Sequence, residues 1–327
     1  MNEGAIVGRK IAIGINLEDT RGTAKDPSYF YPQLDFSFKD TIETKNNESA
    51  YGSIVKNNSI DVMSVKGEGS IGGKMFIKGL YYFLALAFGQ KPTKGTVDDD
   101  NKAKKYNFAL SNSNSHSSAT LAIKNDIEAK KYTFAMLDSF KISWQADDYP
   151  KIEMNFISKK GERVAKNSII AGYIDEPEFL PKDFYLKLAD DLTGLATAPD
   201  VMPTSFSLEF KKNLNTDFYK GDVSEIFNMD FEASGSFEQK IQNTKYQDAT
   251  VNGKSYALEF GLIDDRHKAG TKTPTSLKIR AAKIGISSYD PSYGLSDLAT
   301  ETINFEVLND IKTGKTIEAE LINSFDY

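Results

Sequence analysis

The sequence predicts a mainly β protein: a rolled antiparallel β-sandwich or barrel with one flanking α-helix and an internal duplication. Three observations carry this. Phe and Tyr dominate an aromatic content of 12%, with only 10 prolines among 327 residues, a composition suited to pleated surfaces. Short stretches alternate apolar and polar residues, as in QLDFSFKD (33–40) and SFSLEFK (205–211). Finally, the run 59–89, SIDVMSVKGEGSIGGKMFIKGLYYFLALAFG, reads as strand, glycine turn and helix, and its skeleton returns. Met63, Gly69, Ser70 and Ile71 are matched by Met229, Gly235, Ser236 and Phe237 at a constant offset of 166.

Residues 1–30 alternate weakly and then turn polar, as an N-terminal arm would. In 33–40, Leu34, Phe36 and Phe38 point one way and Asp35, Ser37 and Lys39 the other. The polar stretch 41–58 is expected to be a long exposed hairpin loop. The return strand 59–65 should bury Ile60 and Val62 and expose Asp61, and the apolar run 75–88 should be a core helix. That run is about fourteen residues, short of the roughly twenty a bilayer span needs. A charged linker (90–105) follows, then strands near Tyr106 and Leu121, then a hairpin from YTFAMLDSFKISW (132–144) and KIEMNFIS (151–158).

Prolines 177, 181, 199 and 203 mark 174–203 as a linker between a first β half (31–173) and a second (204–327). Beyond it Phe206, Leu208 and Phe210 echo Leu34, Phe36 and Phe38 at an offset of 172. The fall to 166 makes the second hairpin loop six residues shorter. Residues 256–262 echo 106–110, and 277–287 and 302–321 close the chain. The copies disagree at Asp61, matched by Phe227, and 239–251 is far more polar than 75–88.

Composition excludes several chemistries. With no cysteine there are no disulfides or thiolate metal sites, and a count of two histidines argues against a histidine-based metal site or relay. A net charge of −6 with mixed signs offers no clustered cations for a polyanion. The N-terminal residues lack a charged-then-apolar leader pattern and read as part of the mature chain.

Residues 67–74, GEGSIGGK, formally fit G-x-G-x-x-G between a strand and a helix. A dinucleotide fold would need a second parallel strand after the helix, where a charged linker stands instead. It is no Walker loop either, because Glu68 occupies the required first glycine and Met75 follows the lysine. Asp264-Asp265-Arg266-His267 is most simply a charged turn, because neighbouring turn residues diverge. Residues 98–100 lack the spacing of a calcium loop. Trp144, beside Asp147 and Asp148, reads as a half-buried anchor. No enzyme constellation, cofactor site or metal site survives, and long amphipathic hairpins with open edges point to assembly.

In order, the hairpin leading to Gly69-Ser70 and its apolar helix, the hairpin around DSFKISW, PTSFSLEF (203–210), the strand into Gly235-Ser236 and the closing ATETINFEVLNDIKTGKTIEAELIN (299–323) resemble the tail tube proteins of long-tailed bacteriophages. The resemblance implies a structural virion protein, the major tail protein. Assembled in the host cytoplasm, it would polymerise as stacked rings into a conduit for genome delivery. Its partners would be itself, the terminator, tape measure and distal tail proteins, and double-stranded DNA in transit, with no membrane. Strands 33–39, 59–65, 205–211 and 225–231 would line the tube, with Asp35, Ser37, Asp61, Glu209 and Asp230 facing an acidic lumen and Lys39 and Lys211 near strand ends. Residues 1–30 and 41–58 would meet the adjacent ring, with Asn46, Asn47, Tyr51 and Asn57 in the contact. If both halves are tube modules, three chains close a ring; the weak second helix favours six. The rivals are an exported β-sandwich adhesin, which needs a leader the sequence does not show, and a nucleotide-binding enzyme using 67–74.

Overall fold

The computed structural model describes residues 5–98 and 100–327. Residues 1–4 of the expected arm and Asp99 of the acidic run lie outside it. In chain order the first half forms β1 (Ala12–Leu17), β2 (Tyr29–Phe30), β3 (Asp35–Phe36), β4 (Lys39–Asn47), β5 (Ser59–Lys74), α1 (Gly79–Ala87), β6 (Thr93–Gly95) and β7 (Lys104–Ala109). It continues with β8 (Ala119–Lys124), β9 (Ala129–Gln145), β10 (Asp148–Lys159) and β11 (Glu162–Val164). The second half adds β12 (Phe184–Ala189), β13 (Asp200–Val201), β14 (Ser205–Lys211), β15 (Asn215–Tyr219), β16 (Asp222–Phe227) and β17 (Glu232–Lys240). Then come α2 (Lys245–Val251), β18 (Ser255–Lys268), β19 (Pro274–Ser292), β20 (Thr300–Val307) and β21 (Ile317–Asn323).

One antiparallel sheet runs in the order β3/β4, β5, β10, β9, β14, β17, β20, β19. β3 and β4 are one strand in register, broken only at Ser37 and Phe38. The two longest strands leave this sheet. The N-terminal part of β9 pairs with β8 and β11, and β8 with β1. The N-terminal part of β19 pairs with β18 and β21, and β18 with β12. The sheets roll around one large apolar core, into which α1 inserts. Eight of its nine residues are buried, so it is apolar on every side rather than amphipathic. The expected flanking helix is therefore an interior one, shorter than 75–88.

The pairing order of the first half recurs in the second, and the registers fix the correspondence. A one-residue bulge interrupts β9 at Asp138 opposite β10, and another interrupts β19 at Ser287 opposite β20, an offset of 149. A second pair of irregularities, between Ala119 and Leu121 on β8 and between Tyr256 and Leu258 on β18, agrees with it. Carried across the sheet, the registers align β5 with β17 at the offset of 166 read from sequence. They align β3/β4 with β14 at 170, not 172. Ser37 then corresponds to Ser207 and Ser70 to Ser236, and both pairs make the same cross-strand hydroxyl bond, at 2.8 and 3.0 Å. The first hairpin arm is thus four residues longer than the second rather than six, and β18 corresponds to β8 rather than to the strand at Tyr106.

Several expectations change. Residues 12–30 and 184–201, read as parts of an arm and a linker, hold matching places in the two halves as β1–β2 and β12–β13. Residues 67–74 form no turn: they continue β5, between β3/β4 and β10. The glycines are there for crowding. A Cβ on Gly69, whose φ is +142°, would stand 2.6 Å from the Phe38 Cα, and one on Gly73 would stand 2.7 Å from the Tyr31 hydroxyl. Leu34, Ile60 and Val62, expected inside, are 57%, 69% and 61% exposed.

Candidate assembly surfaces

The faces of the eight-strand sheet have opposite chemistry. Inward, Phe36, Ile71, Ile152, Phe140, Ile142, Phe206, Leu208, Phe210, Phe237 and Phe305 enter the core. Outward, the register aligns Asp35, Gly72, Glu153, Lys141, Glu209, Ser234 and Glu306 in one row across seven strands. The next row up holds Lys74, Lys151, Ser143, Ser207, Ser236, Asn304 and Ser288. Strict alternation along each strand produces this split.

Of the residues expected on a lumen face, Asp35, Ser37 and Glu209 share this surface. Asp61 does not: it sits far out on β5, hydrogen-bonded by Ser59 at 3.2 Å. Asp230 lies in the connection before β17, so 225–231 is no partner of β14; β17 takes that place. The surface is not uniformly acidic, because Lys141 stands in register between Glu153 and Glu209, and Lys211 approaches Glu209 at 3.8 Å.

Both ends of the sheet are open among the described residues. β3/β4 pairs only with β5, and β19 beyond Gly285 pairs only with β20. Pro291 lies in that second edge, where a missing backbone donor is tolerated.

Beyond Ile42 and Val65, β4 and β5 leave the body as a two-stranded ribbon. The register puts Ile42, Thr44, Val62 and Ile60 on one face and Glu43, Lys45 and Asp61 on the other. The apolar face is bare, and the tip adds Ile54 and Val55, likewise exposed. Asn46, Asn47, Tyr51 and Asn57, the expected contact residues, gather at this tip, which includes two strand residues and not only loop. The matching arm of the second half, β15–β16, folds back. Val223 and Ile226 bury against Phe134, Met136 and Ile157. The Arg21 guanidinium stacks on Phe134 at 4.7 Å and donates to the Ile226 carbonyl.

The buried ionisable groups are structural. Glu18 accepts from Ser118, Thr120 and the Gly22 and Phe134 amides. Burial pushes the Lys212 amine down to about 7, and it donates to the Leu86 carbonyl near the end of α1, the negative end of the helix. Burial pushes His116 down to about 4. The 264–267 cluster is no relay: Asp264 is spent on Arg266 and on His267 at 2.6 Å, and Arg266 reaches Asp183 at 3.1 Å. Trp144 is an anchor, stacked on Phe184 and donating to the Pro181 carbonyl at 2.9 Å. The backbone of 67–74 is engaged in strand ladders on both sides and offers no phosphate cradle. Among the described residues no helix is long and apolar enough to cross a membrane.

The sequence pointed to open edges but not to which strands carry them, and it did not show that the ribbon's apolar face is bare. Alternation says which residues share a face, not whether a face is covered.

A family model described as phage tail tube protein matches residues 8–307, nearly the whole chain. No curated protein matches the sequence significantly.

Proposed function

The chain belongs to the phage tail tube protein family, and on that premise we propose how its geometry builds a tube. It is a structural protein of the virion tail. Copies join edge to edge, so that the eight-strand sheets close into one wall and leave no backbone unpaired. The polar face of that wall lines the bore, with Asp35, Ser37 and Glu209 among Ser143, Ser207, Ser236 and Lys141. Alternating charges and hydroxyls give passing DNA few net cations to bind, because each phosphate neutralised by Lys adds about one unit of salt-dependent attraction. The bare ribbon of β4–β5 reaches the next ring, where Ile42, Ile60 and Val62 lose their contact with water. The ends of the tube meet other tail proteins, the terminator, tape measure and distal tail proteins. The role needs no catalysis.

The observation that carries this reading is the sheet itself, wholly polar on one face, core-bound on the other and open at both edges. Electron microscopy of the purified chain tests it. Rings or hollow tubes are expected; particles that stay monomeric at every concentration overturn it.

A further inference from the structure

The two halves of the chain are joined by a strand pair whose counterparts elsewhere in the chain are both, among the described residues, unpaired on that side. The two halves meet where β14 pairs with β9, with Glu209 opposite Lys141, Ser207 opposite Ser143 and Phe206 opposite Trp144. β14 corresponds to β3/β4 at an offset of 170, and β9 to β19 at 149. The counterparts of the two joined edges are therefore the two free ones. We propose that β19 of one chain pairs antiparallel with β3/β4 of a second copy in the register of this internal junction, and that three copies close the ring. The proposal rests on the tube reading and specifies its contact.

The transferred register sets Lys39 of one copy opposite Asp290 of the next, Ser37 opposite Ser292 and Phe36 opposite Tyr293. Lys39 opposite Asp290 repeats Glu209 opposite Lys141 with the signs exchanged, so the junction is complementary without either residue having been chosen for it. Among the described residues Lys39 has no ion-pair partner within its own chain. The aromatic position is kept, Phe36 and Tyr293 replacing Phe206 and Trp144. One difference is built in. Pro291 takes the place of Ile142, which removes a ladder donor and leaves the junction between chains weaker than the one within.

The number of copies follows from width. At about 4.8 Å per strand, two chains make a barrel of about 16 strands, the size of a porin channel. Three make about 24 strands, with a backbone diameter of roughly 40–50 Å at the usual tilt. Three is the smallest ring that passes a double helix.

The absence of native cysteine makes the register directly testable. Lys39→Cys with Asp290→Cys places one thiol on each free edge, and Lys141→Cys with Glu209→Cys places the equivalent pair inside the chain as a control for geometry. After mild oxidation of assembled tubes, denaturing gels should show covalent species ending at three chains for the first variant and single chains for the second. Charge reversal adds a readout independent of thiols: Lys39→Asp and Asp290→Lys should each cut assembly at least tenfold, and the double variant should restore it. Tubes that form but yield no edge disulfide, or a ladder running to six chains, overturn this contact while leaving the tube reading standing. Failure of the unaltered chain to form rings overturns both.

Discussion

Two arms of one design have met different fates. The ribbon of residues 42–65 and its counterpart β15–β16 leave equivalent strands of the sheet, yet the first stands in solvent and the second lies on the body. The arm sequences alone do not explain this. The second arm rests on Phe134, Met136 and Ile157. The register places Lys283, Gly285 and Glu306 at the corresponding positions of the second half. A socket that accepts Val223 and Ile226 in one half has no apolar counterpart in the other. An exposed apolar ribbon that lacks a place on its own chain marks an interaction site, whereas the docked arm is part of the fold.

The largest test separates these roles by removal. Replacing residues 45–61 with Asn-Gly, which suits a two-residue turn between Thr44 and Val62, should abolish long tubes while leaving the monomer's stability within about 0.5 kcal/mol, as expected where nothing is packed. Electron microscopy and denaturant melts read the two halves of that statement. A loss of several kcal/mol would show that the ribbon is structural after all. The converse variant, Ile226→Ala, should cost about 3 kcal/mol in the same melts, the usual range for emptying a fully buried site.

A pH titration gives a smaller effect on the docked arm alone. The Asn228 amide bonds the Asn114 carbonyl at 3.0 Å, so the foot of that arm is tied to the loop holding His116. The His116 ring is buried, and its protonation is held down to about 4 by desolvation first and by the Lys212 charge second. Its folded value lies below the unfolded one, so stability is complete above about pH 6.5 and falls as pH drops towards 4. The loss is roughly 2–3 kcal/mol. His116→Gln should flatten that slope in melts at pH 7, 5.5 and 4, with no change in the projecting ribbon.

What was legible in the sequence follows from what alternation can encode. The β class and the β9–β10 hairpin were readable from composition and alternation, and the offset of 166 because Gly69 and Gly235 are forced by close neighbours and Ser70 and Ser236 by a shared bond. The offset of 172 missed the true 170 by two residues. A slip of two leaves every side chain on its original face, so the pattern could not object. The glycine run misled because glycine serves a crowded strand as readily as a turn. Ile60 and Val62 misled because alternation marks an apolar face without naming what covers it, and the described residues leave both exposed. Asp35, Ser37 and Glu209 share the polar face; Asp61 lies instead on the part of β5 that leaves the body as a ribbon, and Asp230 came from a second-hairpin return strand placed one segment too early.

β9 and β19 each cross from the eight-strand sheet into the second layer without a break in the chain. A displacement of the polar face at Ser143 or Ser288 is therefore passed to Ala129 or Leu277 along covalent bonds and ladder bonds, with no loop to absorb it. Pressure on one layer becomes shear in the other, so the two layers respond as a braced girder rather than as two sliding sleeves.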